Sequence, residues 1–197
     1  MTIAIYFTLF GHLKKSENDS ITHLAEIRSM AITEWCRRAK DLAKQITSRT
    51  RIRQELEKYN KGIIDLEQLT SFTKPKLQDA INLSAEVVGI IRLDARNDLV
   101  TGCGFGSEFN LNRYPVSGYV HNDTVLSSPV LMGNRSLILV SAPIVNRMGE
   151  RQGTDLVMID LVFLEKIVAD SEPIGTTSEM IVGYRSGNQI SPLFSPL

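Results

Sequence analysis

The sequence predicts an α+β protein in which one long N-terminal helix packs on a five-stranded antiparallel sheet. Three observations lead there. No proline or glycine interrupts residues 16–60. From residue 86 onward, short runs rich in β-branched residues alternate with turn-forming residues. Most of these runs are joined by connections too short for parallel crossovers, so neighbouring strands must pair antiparallel.

The first element is read as a helix over 16–60. Ser16, Asp19 or Ser20 can cap its start, and Tyr59-Asn60-Lys61-Gly62 supplies its stop. Leu24, Ile27, Ala31, Trp35, Leu42, Ile46 and Leu56 recur at spacings of three, four and seven, which places one apolar stripe on one face, interrupted at Arg49. At 1.5 Å per residue such a helix would be about 65 Å long, longer than a small core requires. Its other face carries Arg28, Arg37, Arg38, Lys40, Lys44, Arg51, Arg53 and Lys58, interleaved with Glu26, Glu34, Asp41, Glu55 and Glu57 at pairing distances. With no aromatic residues between the arginines for base stacking, this stripe is a solvated face and not a nucleic-acid surface.

Residues 63–85 read as a shorter helical stretch broken at Pro75. Strands are expected at 86–94, 99–105, 124–133, 135–146 and 154–161, with turns at 95–98 and 147–153 and an irregular polar insert at 106–124. A short exit helix begins near Phe163, Leu164 and Ile167. Helices thus segregate from the sheet.

Composition narrows function by exclusion. The chain has 197 residues, 43% hydrophobic and 22% charged, with zero formal net charge. That is enough for one core or for one domain plus part of another, and it creates no global field toward nucleic acid or acidic substrates. Cys36 and Cys103 fall on a helix and in a glycine-rich strand end, a poor setting for a disulfide, and His12, His23 and His121 are scattered without metal-ligand spacing. No cofactor or metal is expected. Residues 2–13 are apolar and uncharged but too short to span a bilayer. They read as the C-terminal stub of a transmembrane helix, the alternative being a buried helix or strand.

Two motif matches fail on context. Gly102-Cys-Gly-Phe-Gly106 lacks the G-x-G-x-x-G spacing of a dinucleotide loop and is followed by polar, proline-containing sequence, so its glycines are read as bulging a strand end beside a cleft. Ser71-Phe-Thr-Lys74 matches the S-x-x-K pattern, but Pro75 follows at once and no K-T-G triplet exists. No triad or dyad stands out, and no enzyme activity is expected of the chain.

The hairpin Ile90–Asp94 with Asn97–Val100, the strand Leu139-Val-Ser-Ala-Pro-Ile-Val145 and the stretch Gly153–Asp160 together resemble the Cache branch of PAS-like sensor domains. These form the extracytoplasmic parts of histidine kinases, diguanylate cyclases and chemoreceptors. Asn97-Asp98 stands where the family's D-x-x-G turn has its glycine. Gly175-Thr-Thr-Ser-Glu179 is similar to the G-x-T-G-E segment that opens the second module of double Cache receptors, with Ser178 in the glycine's place. The resemblance implies a PAS-like sheet and an organisation of 1–15 as membrane remnant or tail, 16–62 as long helix, 63–172 as sensor domain and 173–197 as the start of a membrane-proximal module.

The same resemblance places a ligand pocket under the 106–124 insert, with Arg113, Tyr114, Tyr119 and His121 from the insert, Ser141 and Asp160 from the last strands, and Arg92 or Arg135 at the edge of apolar strands. An arginine with aromatic walls suits a small carboxylate or amine-bearing molecule. Asp160 has two readings, as a contact for a ligand ammonium or as the N-cap of the exit helix. The aromatic–Arg–Trp–Tyr signature of amino-acid-sensing members is present only in isolated pieces, and Trp35 belongs to the apolar stripe. The expected function is extracytoplasmic sensing of an organic acid, amino acid or amine at the cell inner membrane, with homodimerisation through the long helix. The alternative is a cytoplasmic PAS or GAF-like regulatory or dimerisation domain.

Overall fold

The computed structural model describes residues 2–109, 118–169, 182–186 and 188–193. They divide between two compact units, Cys36–Phe163 and a second made of Met1–Trp35 with Leu164–Leu197.

Helix α1 (Thr2–Thr47) runs unbroken for 46 residues. The expected single helix over 16–60 is corrected at Ser48-Arg49, after which α2 (Thr50–Asn60) begins afresh. Local chemistry explains the break. The Thr47 and Ser48 hydroxyls donate to the carbonyls of Lys44 and Gln45 at 3.0 and 3.1 Å, competing with the backbone ladder. Arg49 is extended (φ −60°, ψ 104°), and its Nη1 donates to the Lys76 carbonyl at 3.1 Å. The buried stripe on α1 is also narrower than the sequence suggests: Trp35, Ala39, Ala43 and Ile46 are buried, whereas Ile27 is exposed. Arg28, assigned to the solvated face, is buried too. The rest of that face behaves as read, with exposed pairs Arg37–Asp41, Lys58–Glu55 and Lys61–Glu57 and a tie from Arg38 to Glu86.

Helix α3 (Leu66–Asn82) opens on a capping box. Asp65 accepts from the Gln68 amide at 2.8 Å while the Gln68 side chain accepts from the Asp65 amide. It continues through Pro75, so the expected break there is corrected. Pro75 costs one backbone hydrogen bond, but its ring sits on the exposed side. Leu69, Thr73, Leu77 and Ala80 line the opposite side and are buried on both sides of the proline, and α3 lies against strands β1 (Val87–Asp94) and β2 (Leu99–Gly104). Burial holds the two halves in line.

The remaining strands are β3 (Val125–Leu126), β4 (Val130–Met132), β5 (Arg135–Val145) and β6 (Arg151–Asp160), followed by α4 (Val162–Ala169). Every pairing is antiparallel, in the order β2-β1-β6-β5, with β3 and β4 both on the outer edge of β5. All five expected strand segments are present. The third is split because Pro129 interrupts it and Ser127 bonds Leu139 through both its backbone and its hydroxyl. At the β1–β2 turn Asp94 accepts from the amides of Arg96 and Asp98 at 2.8 Å each, and Asn97 takes φ +71°. Asparagine tolerates that left-handed position, which is how the turn closes without a glycine. In the other unit, β7 (Gly183–Ser186) and β8 (Gln189–Pro192) form a hairpin.

Alternation along β6 separates two faces. On the first, Leu56 of α2 and Leu69 of α3 cluster with Val100 and Ile144. The same face holds Arg92 opposite Asp155 in register, joined by Nε–Oδ1 and Nη2–Oδ2 bonds of 2.7 and 2.6 Å. The side chains are 1% and 0% exposed, so each ion depends on the other for the solvation it has lost. Truncating Asp155 to alanine should therefore destabilise the protein by about 3–5 kcal/mol. The double change Arg92→Met with Asp155→Leu should cost less than either single truncation in urea denaturation.

Candidate ligand-binding face

The second face of the sheet carries Ile91, Leu93, Leu137, Leu139, Leu156 and Met158 in one buried cluster with Phe109 and Val130. Phe105, Tyr119 and Val120 pack over it half-buried. Its shape begins with the glycines of Gly102–Gly106. Residues Phe105–Glu108 make a single 3-10 turn that folds back onto β1. A Cβ at Gly106 would meet the Ile90 carbonyl oxygen at 2.3 Å, and one at Gly102 would meet the Gly106 oxygen at 2.3 Å. Backbone lies directly on backbone here, which only glycine permits. The reading of this run as a strand-end device beside the cleft agrees with that geometry, and no phosphate loop is formed.

Polar groups interrupt this apolar face at two places. At one end, Asp160 stands opposite Leu137. Its Oδ1 accepts from the Val162 amide at 3.0 Å, capping α4, and its Oδ2 accepts from Arg135 Nη1 at 3.1 Å. The Arg135 guanidinium also lies 5.2 Å from the centroid of the Phe105 ring. Toward the other end, Ser141 stands opposite Leu156, and Thr154 opposite Pro143 and Leu93. They form a diagonal pair on neighbouring strands. Both are buried, at 3% and 0% exposure. Neither hydroxyl oxygen finds a hydrogen-bond partner among the described residues.

Ser141, Tyr119 and Asp160, named from the sequence, come together on this face. Arg92 does not: strand alternation turns it to the helix-covered side, where Asp155 holds it. The arginine at the edge of the candidate face is Arg135. His121 is exposed. Arg113 and Tyr114 lie outside the described residues. Thr154 was missed, although its even spacing from Asp160 along Thr154-Asp-Leu-Val-Met-Ile-Asp160 places the two on one side of a strand.

Cys36 and Cys103 are both free thiols, and burial pushes each above its usual range, so neither is an activated nucleophile. Among the described residues no group of three histidine, cysteine or acidic side chains could hold a metal.

No family model and no curated protein matches the chain by sequence. Comparison of folds is informative where sequence is silent. The ligand-binding domain of the Campylobacter jejuni chemoreceptor Tlp3, solved with 4-methylisoleucine, superposes with a TM-score of 0.60 at 13% identity, over 80% of this chain and 64% of that one. The ligand-binding domain of the Pseudomonas fluorescens chemoreceptor CtaA, solved with L-isoleucine, gives 0.56 at 11% identity, over 84% and 66%. The extracellular domain of a proposed histidine kinase, vpHK1S-Z8, gives 0.54 at 10% identity, over 79% and 61%. This chain has the fold of those sensory domains. It spans about two thirds of their length.

Desolvated hydroxyls without partners are costly. Thr154→Val, which keeps the shape and removes the oxygen, should raise the stability of the ligand-free protein by about 1 kcal/mol. A chemical-denaturation midpoint that falls instead would show that the hydroxyl is satisfied within the folded chain.

Proposed function

We propose that this chain is the extracytoplasmic sensing region of a transmembrane signal-transduction receptor, and that a small organic molecule binds on the sheet face under Phe105, Phe109, Tyr119 and Val120. The observation that carries the reading is the buried, unpartnered pair Ser141 and Thr154 on an otherwise apolar face that also ends in Asp160. A ligand supplies what that arrangement lacks: apolar surface for the leucines and hydrogen-bonding atoms for the hydroxyls. The chemoreceptor domains of the same fold, two of them solved with amino acids or close analogues, support the assignment.

Asp160 serves both of its readings in this proposal. Its Oδ1 caps α4, and its Oδ2 is held by an arginine whose side chain is half exposed. Such a pair is weak enough for a cationic ligand group to replace. Arg113, Tyr114 and His121 complete the site from the insert, the first binding any carboxylate. Residues 173–197 begin a second module. No helix among the described residues is long and apolar enough to cross a membrane; in this proposal anchoring is assigned to flanking segments, with residues 2–13 continuing into one of them. Ligand binding then shifts the pose of α1 in a homodimer, and differential affinity for two poses is the only energy the device requires.

Screening organic acids, amino acids and amines by thermal shift tests the proposal. A true ligand at a hundredfold excess over Kd adds about 2.7 kcal/mol. Asp160→Ala and, for a ligand that carries a carboxylate, Arg113→Ala, each compared with its own ligand-free baseline, should abolish that gain. Shifts that persist unchanged in both variants would remove the ligand from this face.

A further inference from the structure

We infer that the ligand of this face is an elongated aliphatic molecule with a polar group at each end, a protonated amine at the Asp160 end and a hydroxyl or other uncharged hydrogen-bonding group at the Ser141–Thr154 end. The inference rests on the proposed site and adds the length and chemistry of its occupant. It comes from the spacing of polar groups along two strands in fixed register. Asp160 pairs with Leu137 and Ser141 pairs with Leu156, without a shift between them. Four residues of antiparallel strand separate the two polar rows, about 13–14 Å along β5. With a hydrogen bond of about 2.9 Å at either end, the ligand's own polar atoms stand about 8 Å apart, the reach of roughly five or six methylenes.

Between those rows, among the described residues, β5 and β6 carry Leu139, Leu156 and Met158, all buried and joined by Ile91 of β1. A charge seated there would be desolvated with no partner, so the middle of the molecule is hydrocarbon. The two ends differ in kind. Asp160 offers an anionic oxygen whose present partner, Arg135, is half exposed. Ser141 and Thr154 offer two neutral hydroxyls within one diagonal, and either can donate or accept. An α-amino acid with a purely aliphatic side chain, such as isoleucine, carries both of its charged groups on one carbon and reaches a single end. The chain therefore differs from the chemoreceptor domains solved with isoleucine or its methyl derivative.

Calorimetric titration of the wild-type chain and the Ser141→Ala/Thr154→Val double variant distinguishes the outcomes. The probes are aminohexanol with its groups at opposite ends, hexylamine, hexanol and norleucine. Folding is verified by circular dichroism, and Ser141→Ala alone serves as the milder variant. Aminohexanol should bind wild type about tenfold more tightly than hexylamine, and the double variant should erase that difference while leaving hexylamine unchanged. Equal binding of aminohexanol and hexylamine, a preference for norleucine, or an advantage that survives in the variant would overturn the inference while leaving a ligand site standing. If none of these probes and no member of the wider screen binds, the site itself is wrong and the inference falls with it.

Discussion

The register of β6 between its two neighbours, β5 and β1, sets which side chains share a face throughout the sheet. Two long antiparallel strands pair from Leu137–Asp160 to Ile144–Gly153 without a slip. Because side chains alternate, a shift of one residue would exchange the two faces completely. If β6 slipped in this way, Asp155 would leave Arg92 on the neighbouring β1 and emerge among the leucines, while Thr154 would turn under the helices. The Arg92–Asp155 pair, fully buried and doubly bonded, opposes any such slip, since moving one ion away leaves the other buried without compensation. A structural ion pair on one side thereby fixes the chemistry of the other.

The two faces are built for different tasks. The helix-covered face is closed, with α2 and α3 supplying Leu56 and Leu69 against Val100 and Ile144. Its buried charges, Arg92 and Asp155, neutralise each other. The opposite face has a hydrophobic floor and a thin cover of aromatic and aliphatic residues, and its hydroxyls are not matched. Proteins rarely keep buried polar atoms without partners, and those that persist call for an explanation. The proposed ligand would satisfy the pair on the candidate face. Thr73 and the third nitrogen of Arg92, also unmatched on the helix side, have no such account.

Asp160 links this face to the rest of the chain. One carboxylate oxygen faces Arg135 and the other holds the first turn of α4, while the Asp160 and Leu161 amides bond Glu86 and Ser136. A group that touches both a candidate ligand and a helix start is well placed to report occupancy by population shift, provided the two states differ in their contacts to that carboxylate. In the proposed receptor the continuous α1 would be a second route. Its buried positions Trp35, Ala39, Ala43 and Ile46 follow the spacing of a single seam.

The class of the fold and most of its punctuation are written in the residues. Periodicities of 3.6 and 2 are properties of the chain, so the long helix, the strand segments and the Asn97 turn were legible residue by residue. Packing between distant segments settles what remains. It kept α3 whole through Pro75, because burial on both sides of the proline outweighs one lost hydrogen bond, and it broke the long helix at Ser48-Arg49, where side-chain and inter-helix bonds compete with the ladder. It also sorted the arginines, sending Arg92 to Asp155 and Arg135 to Asp160. It brought Thr154 beside Ser141 from thirteen residues away in the chain. Which side chains share a face across strands depends on register, and register is a property of pairing, which no single strand carries in its own residues.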